Sequence, residues 1–232
     1  GGACRGGSYY DCTISGNKAL YQGGGIYCGN VYNCVVENNT ASSDGGGIFA
    51  GRGSGTYAVK NSVIRNNTAE DGGGIAGGKT ITDCEITGNQ AYYGGGINPD
   101  SGTTVEGCAI SGNNAEKAGG GAYAEGGTLT NCTITDNHTT GNGGGIYGIT
   151  YSSTINNCTI SKNNAENGGG IYGAAKMTNG ELTENTATAN GGGAYFEYYY
   201  NARTSAVTGT EITGNRAANG GGLYADTSLT LD

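Results

Sequence analysis

Proline is almost missing from this chain, with Pro99 alone among 232 residues, and only 13% of residues are charged. Disordered tracts are rich in both, so a disordered chain is disfavoured. Histidine occurs once, at His138, and no two of the eight cysteines stand in a C-x-x-C pair. A zinc site therefore lacks its usual ligand spacing, and the sequence predicts no metal and no cofactor. Basic residues are few, with 11 Lys and Arg against 19 Asp and Glu, a net charge of −8. No basic cluster exists to neutralise phosphates or lipid head groups, so nucleic acid is not expected as a partner. No apolar run approaches the roughly 20 residues that span a bilayer, and no secretory signal is visible. Membrane insertion by this segment is not expected. Tryptophan is absent while Tyr, Thr, Asn and Gly are abundant, a composition that suits an extracellular or cell-surface protein better than a cytosolic enzyme.

What is present in excess is glycine, 50 of 232 residues, and it is periodic. Glycine triplets start at Gly23, Gly45, Gly72, Gly94, Gly119, Gly143, Gly168, Gly191 and Gly220, at intervals of 22 to 29 residues. A repeat of that length is the signature of a solenoid. Counting back from each triplet gives an asparagine without exception: Asn17, Asn39, Asn67, Asn89, Asn113, Asn137, Asn163, Asn185 and Asn215. Three residues before these lie Ile14, Val36, Ile64, Ile86, Ile110, Ile134, Ile160, Leu182 and Ile212, flanked mostly by Thr, Ser and Glu. That is the alternation of a half-buried strand. A second short strand begins further upstream at Tyr9, Val31, Val59, Ile81, Val105, Leu129, Ile155, Met177 and Val207. Asn, Asp or Gly separates the two strands, as a bend requires.

The triplet is read as a third strand. Three strands per repeat predict an all-β fold, a three-sided parallel β-helix (β-solenoid) of about nine coils of 24–25 residues. The strong preference for right-handed parallel crossovers makes it right-handed. At about 4.8 Å per coil the rod is roughly 45 Å long. Residues 1–232 form one such domain. The opening at Gly1-Gly2-Ala3-Cys4 and the closing Leu229-Thr230-Leu231-Asp232 predict either part of a longer chain or a subunit that stacks end to end on copies of itself.

Several columns are candidates for chemistry. The asparagine ladder is inward and constant, which makes it structural, its amides bonding to one another and to bend carbonyls. Cys12, Cys34, Cys84, Cys108, Cys132 and Cys158 share an inward column with Ser62, Gly180 and Thr210. In-register Cβ atoms about 4.8 Å apart are too distant for the usual disulfide, so this column reads as thiols. Cys4 and Cys28 fall outside it, in the variable segments of adjacent coils, and are the candidate disulfide. After each triplet and its apolar residue, Tyr27, Phe49, Tyr123, Tyr147, Tyr172, Tyr195 and Tyr224 form an outward aromatic column, broken by Ala76 and Asn98. Tyr27, Tyr123, Tyr147, Tyr172, Tyr195 and Tyr224 are candidate binding residues. All length variation falls just after this column, in segments of 4 to 12 residues, and such insertions often form the binding face of a solenoid. The longest holds Tyr195, Phe196, Tyr198, Tyr199, Tyr200 and Arg203, a concentration of interface-type residues.

Catalysis is not expected. The outward charges Glu37, Arg65, Glu85, Glu181 and Glu211 are scattered among Thr, Ser, Val and Ala, and of the glutamates only Glu181 and Glu211 follow each other in successive coils.

The pairing of Ile86-Thr87-Gly88-Asn89 with Gly94-Gly95-Gly96-Ile97 resembles the repeats of bacterial and archaeal surface proteins with right-handed β-helix passenger regions. It is similar to the repeats of adhesin-like proteins and, more distantly, of the chlamydial polymorphic outer membrane proteins, which pair GGA(I/L/V) with FxxN. Here Ile, Val or Leu stands in place of that Phe. The resemblance covers nearly the whole chain and implies surface display and adhesion, with no catalytic residues to carry over. The sequence thus predicts a non-enzymatic, glycine-rich surface repeat protein whose aromatic edge loops bind a glycan or protein ligand. A structural subunit of an extracellular filament, sheath or surface layer is the alternative, and a polysaccharide lyase or hydrolase-like protein is the second alternative.

Overall fold

The computed structural model describes residues 2–52, 57–197 and 205–232. The strand alternation seen in the sequence becomes a stack of in-register parallel strands. On one side, Thr13–Ser15, Val35–Glu37 and their successors to Glu211–Thr213 form a nine-stranded sheet. Its centre is the unbroken column Ile14, Val36, Ile64, Ile86, Ile110, Ile134, Ile160, Leu182 and Ile212. A second side carries the Val31-to-Val207 column. Nearly every residue of both columns is fully buried, each contributing about 1.5–3 kcal/mol relative to exposure. No helix is long and apolar enough to cross a membrane among the described residues.

The bend between these two sides requires a left-handed residue once per coil. Asp11, Asn33, Asn61, Asp83, Asn131, Asn157 and Asn179 supply it with φ of 49–54°, a conformation that Asn and Asp tolerate best among residues with a side chain.

The third side differs from expectation. Its strands, such as Lys18–Ala19, Gln90–Tyr93, Asn114–Ala118 and Thr186–Asn190, precede the glycine triplet, and a further strand, such as Ile26–Tyr27 or Ala194–Phe196, follows it. The triplet is a corner between them and not a strand. Gly45-Gly46-Gly47 shows why no other residue fits. Gly45 has φ +67; a Cβ on Gly46 would lie 2.4 Å from the Gly73 carbonyl oxygen of the next coil, and one on Gly47 would lie 3.0 Å from the Asn67 amide.

The asparagine ladder fills the interior beside that corner. Asn39 is typical: its Oδ1 accepts from both the backbone N and Nδ2 of Asn17, at 2.9 and 3.0 Å. Its own Nδ2 donates to Asn67 Oδ1 and to the Ile14 carbonyl, at 3.1 and 2.9 Å. Asn39, Asn67, Asn89, Asn113, Asn137, Asn163 and Asn185 are at most 1% exposed, and this pattern satisfies every amide hydrogen and both acceptor sites.

The thiol column obeys a similar rule. Each side chain donates to the carbonyl two residues earlier, as in Cys34 to Tyr32 at 3.2 Å, Ser62 to Lys60 at 2.7 Å and Thr210 to Thr208 at 3.1 Å. It also accepts from the coil below, as Ser62 Oγ does from Cys34 N at 3.0 Å. Cys, Ser and Thr interchange here because each offers one donor and one acceptor at that reach. Gly180 breaks the column, and Met177 Cε fills its place, 2.4 Å from where a Cβ would stand.

The candidate disulfide is corrected. Cys4 lies on a strand, in register below Ile26, and Gly2, Ala3 and Cys4 bond to the triplet of the next coil. Cys28 stands two residues beyond Ile26, with φ +56, level with Gly6 of the coil below. The two cysteines therefore belong to different columns, and both are free thiols.

Candidate functional site

The residues that follow each triplet come into register and build the aromatic column. Tyr123, Tyr147, Tyr172, Tyr195 and Tyr224 pair one coil to the next. Their ring centroids are 4.8, 5.3, 4.9 and 5.1 Å apart, with interplanar angles of 21° or less. Tyr27 and Phe49 stack in the same way at 5.3 Å. Each ring inside the stack has its faces occupied by its neighbours, so the strip presents edges and hydroxyls. A sugar laid along it meets no free aromatic face. The hydroxyls are engaged too: Tyr123 donates to Glu125 at 2.9 Å and Tyr195 donates to Asp226. Burial, then the neighbouring carboxylates Glu125, Glu197 and Asp226, push the phenols of Tyr123, Tyr172 and Tyr195 up from the ordinary tyrosine value.

Of the long-loop candidates, Phe196 is fully buried. It points inward at a position filled elsewhere by Ala50, Ala124, Gly148 and Gly173, so it belongs to the core and is not a binding residue. Tyr198, Tyr199, Tyr200 and Arg203 lie outside the described residues. Tyr195 is half-buried within the stack.

The structure gathers a different set of residues where the aromatic column is broken. At Ala76 and Asn98 the column itself has no ring, Tyr93 instead meeting Tyr123 edge-on at 5.4 Å, and a cleft of about 580 Å³ opens, bounded by Tyr123 at one end. Asp44, Glu70, Asp71, Asp100 and Glu125 line it and, among the described residues, Arg52 is the single cation there. Asp44 and Asp71 sit just before their glycine triplets and are in register with each other. The same position in later coils holds Asn142, Asn167, Asn190 and Asn219, an outer amide ladder with bonds of 3.1, 2.9 and 3.0 Å. Stacked amides satisfy each other, whereas stacked carboxylates repel.

Arg52 stands against that repulsion. Its Nη2 is 2.6 Å from Asp44 Oδ1 and 3.7 Å from Asp71 Oδ2, and its Nη1 is 3.5 Å from Asp100 Oδ1. Asp44 also accepts from Gln22 at 2.6 Å and Ser43 at 2.9 Å. Burial opposes the Asp44 charge, but the hydrogen bonds from Arg52, Gln22 and Ser43 outweigh it and hold this carboxyl below the usual range. Asp71 goes the other way: burial and then the Asp44 charge push its carboxyl up. Two adjacent carboxyl groups in one cleft thus differ in proton affinity.

Of the residues that line the cleft, Tyr123 stood out in the sequence as a candidate, whereas the charged residues Asp44, Arg52, Glu70, Asp71, Asp100 and Glu125 did not. The signal that finds them is the residue immediately before each triplet, which runs Gln22, Asp44, Asp71, Tyr93, Ala118, Asn142, Asn167, Asn190 and Asn219. Among the described residues no group of three or more His, Cys, Asp or Glu is arranged to hold a metal ion. The scattered charges of the isoleucine sheet include one ion pair, Arg65 Nε to Glu37 Oε2 at 2.7 Å, and the stacked glutamates Glu181 and Glu211. His138 lies on the third side, its Nδ1 3.1 Å from Asn164 Oδ1.

The repeat, the in-register parallel sheets and the corner glycines agree with comparison to known proteins. The family model described as right handed beta helix region matches residues 3–147 and 76–231. No curated protein and no solved structure matches the chain. The chain belongs to the right-handed β-helix family.

Proposed function

We propose that this chain is an extracellular or cell-surface protein, adhesin-like in use, that binds a glycan without chemically changing it. The grip is the cleft at Asp44, Asp71, Asp100 and Arg52. One observation carries this: the outer amide ladder gives way to two in-register aspartates at the place where the aromatic wall opens. Stability alone favours asparagine at both positions, as Asn167 and Asn190 illustrate. Carboxylates beside a guanidinium in a polar cleft, with Tyr123 as a wall, are groups that bind sugar hydroxyls in charge-assisted bonds.

A glycan array probed with the wild-type chain and Asp71→Asn tests this. The expected result is one class of glycan bound by the wild type and lost in the variant. An array on which the wild type binds no glycan rejects it.

A second reading, hydrolysis of the bound glycan, is favoured by the opposite shifts of Asp44 and Asp71. An ionised carboxylate beside a carboxyl with raised proton affinity is the division used in glycoside hydrolysis. Release of reducing ends from the bound glycan, absent in Asp71→Asn, would replace binding by catalysis.

A further inference from the structure

A second pocket lies along the same corner of the solenoid, in the coils before the cleft. It has a volume of about 500 Å³ and is lined by Arg5, Lys18, Leu20, Tyr21, Gln22 and Tyr27. Gln22 joins the two, because it lines this pocket while its Nε2 donates to Asp44 in the cleft at 2.6 Å. The chemistry here is reversed. The chain has 19 acidic residues to 11 basic ones, yet among the described residues no carboxylate lines the pocket. Neither Arg5 nor Lys18 forms an ion pair among the described residues.

Arg5 lies over the Tyr27 ring, 5.6 Å from its centroid. Leu20 and Tyr21, 77% and 79% exposed, present apolar surface that no described residue covers. Unlike the rings of the Tyr123-to-Tyr224 stack, Tyr21 has no ring partner among the described residues. Two cations without acidic partners beside an exposed aromatic ring fit a sugar that carries a carboxylate. The ring body covers Tyr21 and Leu20, and the carboxylate takes charge-assisted bonds from Arg5 and Lys18.

We propose that this pocket is a subsite for an acidic sugar of a linear glycan whose next residues enter the cleft, a proposal that rests on the glycan-binding reading above. The five cleft carboxylates repel a second acidic sugar. The preferred glycan therefore alternates acidic with uncharged residues, and a continuous polyuronate is rejected.

The test is an NMR titration of the labelled chain with free glucuronate. It is followed by affinity measurements with a hyaluronan hexasaccharide, a neutral chito-oligosaccharide and an oligogalacturonate of equal length. Glucuronate is expected to shift the amides of Lys18, Tyr21, Gln22 and Tyr27, and the shifts are lost in R5Q/K18Q. Both side chains are exposed, so this variant keeps its fold. The alternating hexasaccharide should lose about tenfold in affinity in R5Q/K18Q, the scale of two exposed charge contacts. The neutral oligosaccharide should be indifferent to the variant, and the oligogalacturonate should bind more weakly than the alternating chain. Pocket amides unmoved by glucuronate, or equal affinities for all three oligosaccharides, would overturn the proposal. An aspartate-rich peptide that outcompetes glucuronate would make the partner a protein and overturn it as well. If glucuronate occupies the pocket while Asp71→Asn changes no oligosaccharide affinity, the cleft reading fails and the pocket assignment stands.

Discussion

Asn163 gives both its backbone N–H and its side-chain Nδ2 to a single acceptor, Asn185 Oδ1, each at 3.0 Å. Its Nδ2 also reaches the Ile134 carbonyl at 2.9 Å, and its Oδ1 accepts the same two bonds from Asn137. Asn163 is fully buried, so no water is available to replace these partners.

Replacing Asn163 by Ala removes the acceptor for two Asn137 donors and the donor for Ile134. Buried polar groups left unpaired cost about 1–3 kcal/mol each, partly relieved by relaxation, so a loss of about 2–4 kcal/mol is expected. Urea unfolding of Asn163→Ala should show a lowered midpoint with unchanged slope. An unshifted midpoint would mean that the ladder is ornamental to stability.

Gly16, in the bend before Asn17, and Gly46, in a triplet, separate conformational from steric need. Gly16 has φ +67 with nothing within 4 Å of an added Cβ, so Gly16→Ala should cost only the left-handed strain of about 1–2 kcal/mol. At Gly46 no such strain arises, but the added Cβ meets the Gly73 oxygen and the Thr68 carbonyl at 2.4 and 2.5 Å. Gly46→Ala should lose more than about 3 kcal/mol or fail to fold. Comparable melting temperatures for the two variants would contradict close coil packing at the triplet.

How far these features were visible in the sequence follows from their periodicity. Asn17 to Asn215 and Ile14 to Ile212 recur in every coil at fixed distance from the triplet, so the strands, the ladder and the coil count were legible. The triplet itself was misread as a strand, because glycine by itself does not distinguish a corner from a closely packed wall. The cleft was missed because its column changes residue type from Asp44 and Asp71 to Asn142 and beyond. Their shared place immediately before each triplet is the one sign of the column in the sequence, and the pairing of neighbouring coils brings Asp44 and Asp71 into register. Phe196 misled because an aromatic residue beside Tyr195 looks like part of a binding loop. Its burial is apparent only beside the small residues Ala124, Gly148 and Gly173.

The tyrosine stack predicts an alkaline limit to stability. The phenols of Tyr123, Tyr172 and Tyr195 have folded-state values above their ordinary value of 10. Their contribution is therefore fully present below about pH 10 and is lost as the pH climbs towards the folded values. Spectrophotometric titration should show these phenols ionising late, with unfolding. Tyr172→Phe should lose less stability between pH 9 and 11 than the wild type. Normal titration of every tyrosine in the folded state would refute the stack's phenol–carboxylate bonds.

The thiol column predicts graded reactivity and tolerance. Cys12 is exposed, whereas Cys34, Cys84, Cys108, Cys132 and Cys158 are buried, and burial pushes the Cys34 thiol up. A thiol reagent should label Cys12 in the native state and these five only on unfolding. Cys108 donates to the Glu106 carbonyl at 3.3 Å. Cys108→Ser keeps that bond, as Ser62 does, and should cost less than about 1 kcal/mol. Cys108→Val leaves the carbonyl without this donor and should cost more. Peptide mapping after timed alkylation, with thermal melts of the two variants, checks both points; native labelling of Cys108 would contradict the buried column.

The most direct test of the account is Asp71→Asn, measured for stability and glycan binding in the same preparation. The folded-state carboxyl of Asp71 is raised by burial and by Asp44. Its charge therefore costs stability at neutral pH, a cost that disappears as the pH falls below the unfolded value. The amide removes that charge and donates to Asp44 as Asn167 does to Asn142. Asp71→Asn should show a higher melting temperature at pH 7, a gain that vanishes at acid pH, and loss of the glycan signal. A lower melting temperature with glycan binding intact would show that Asp71 is there to hold the coil and not to grip a ligand.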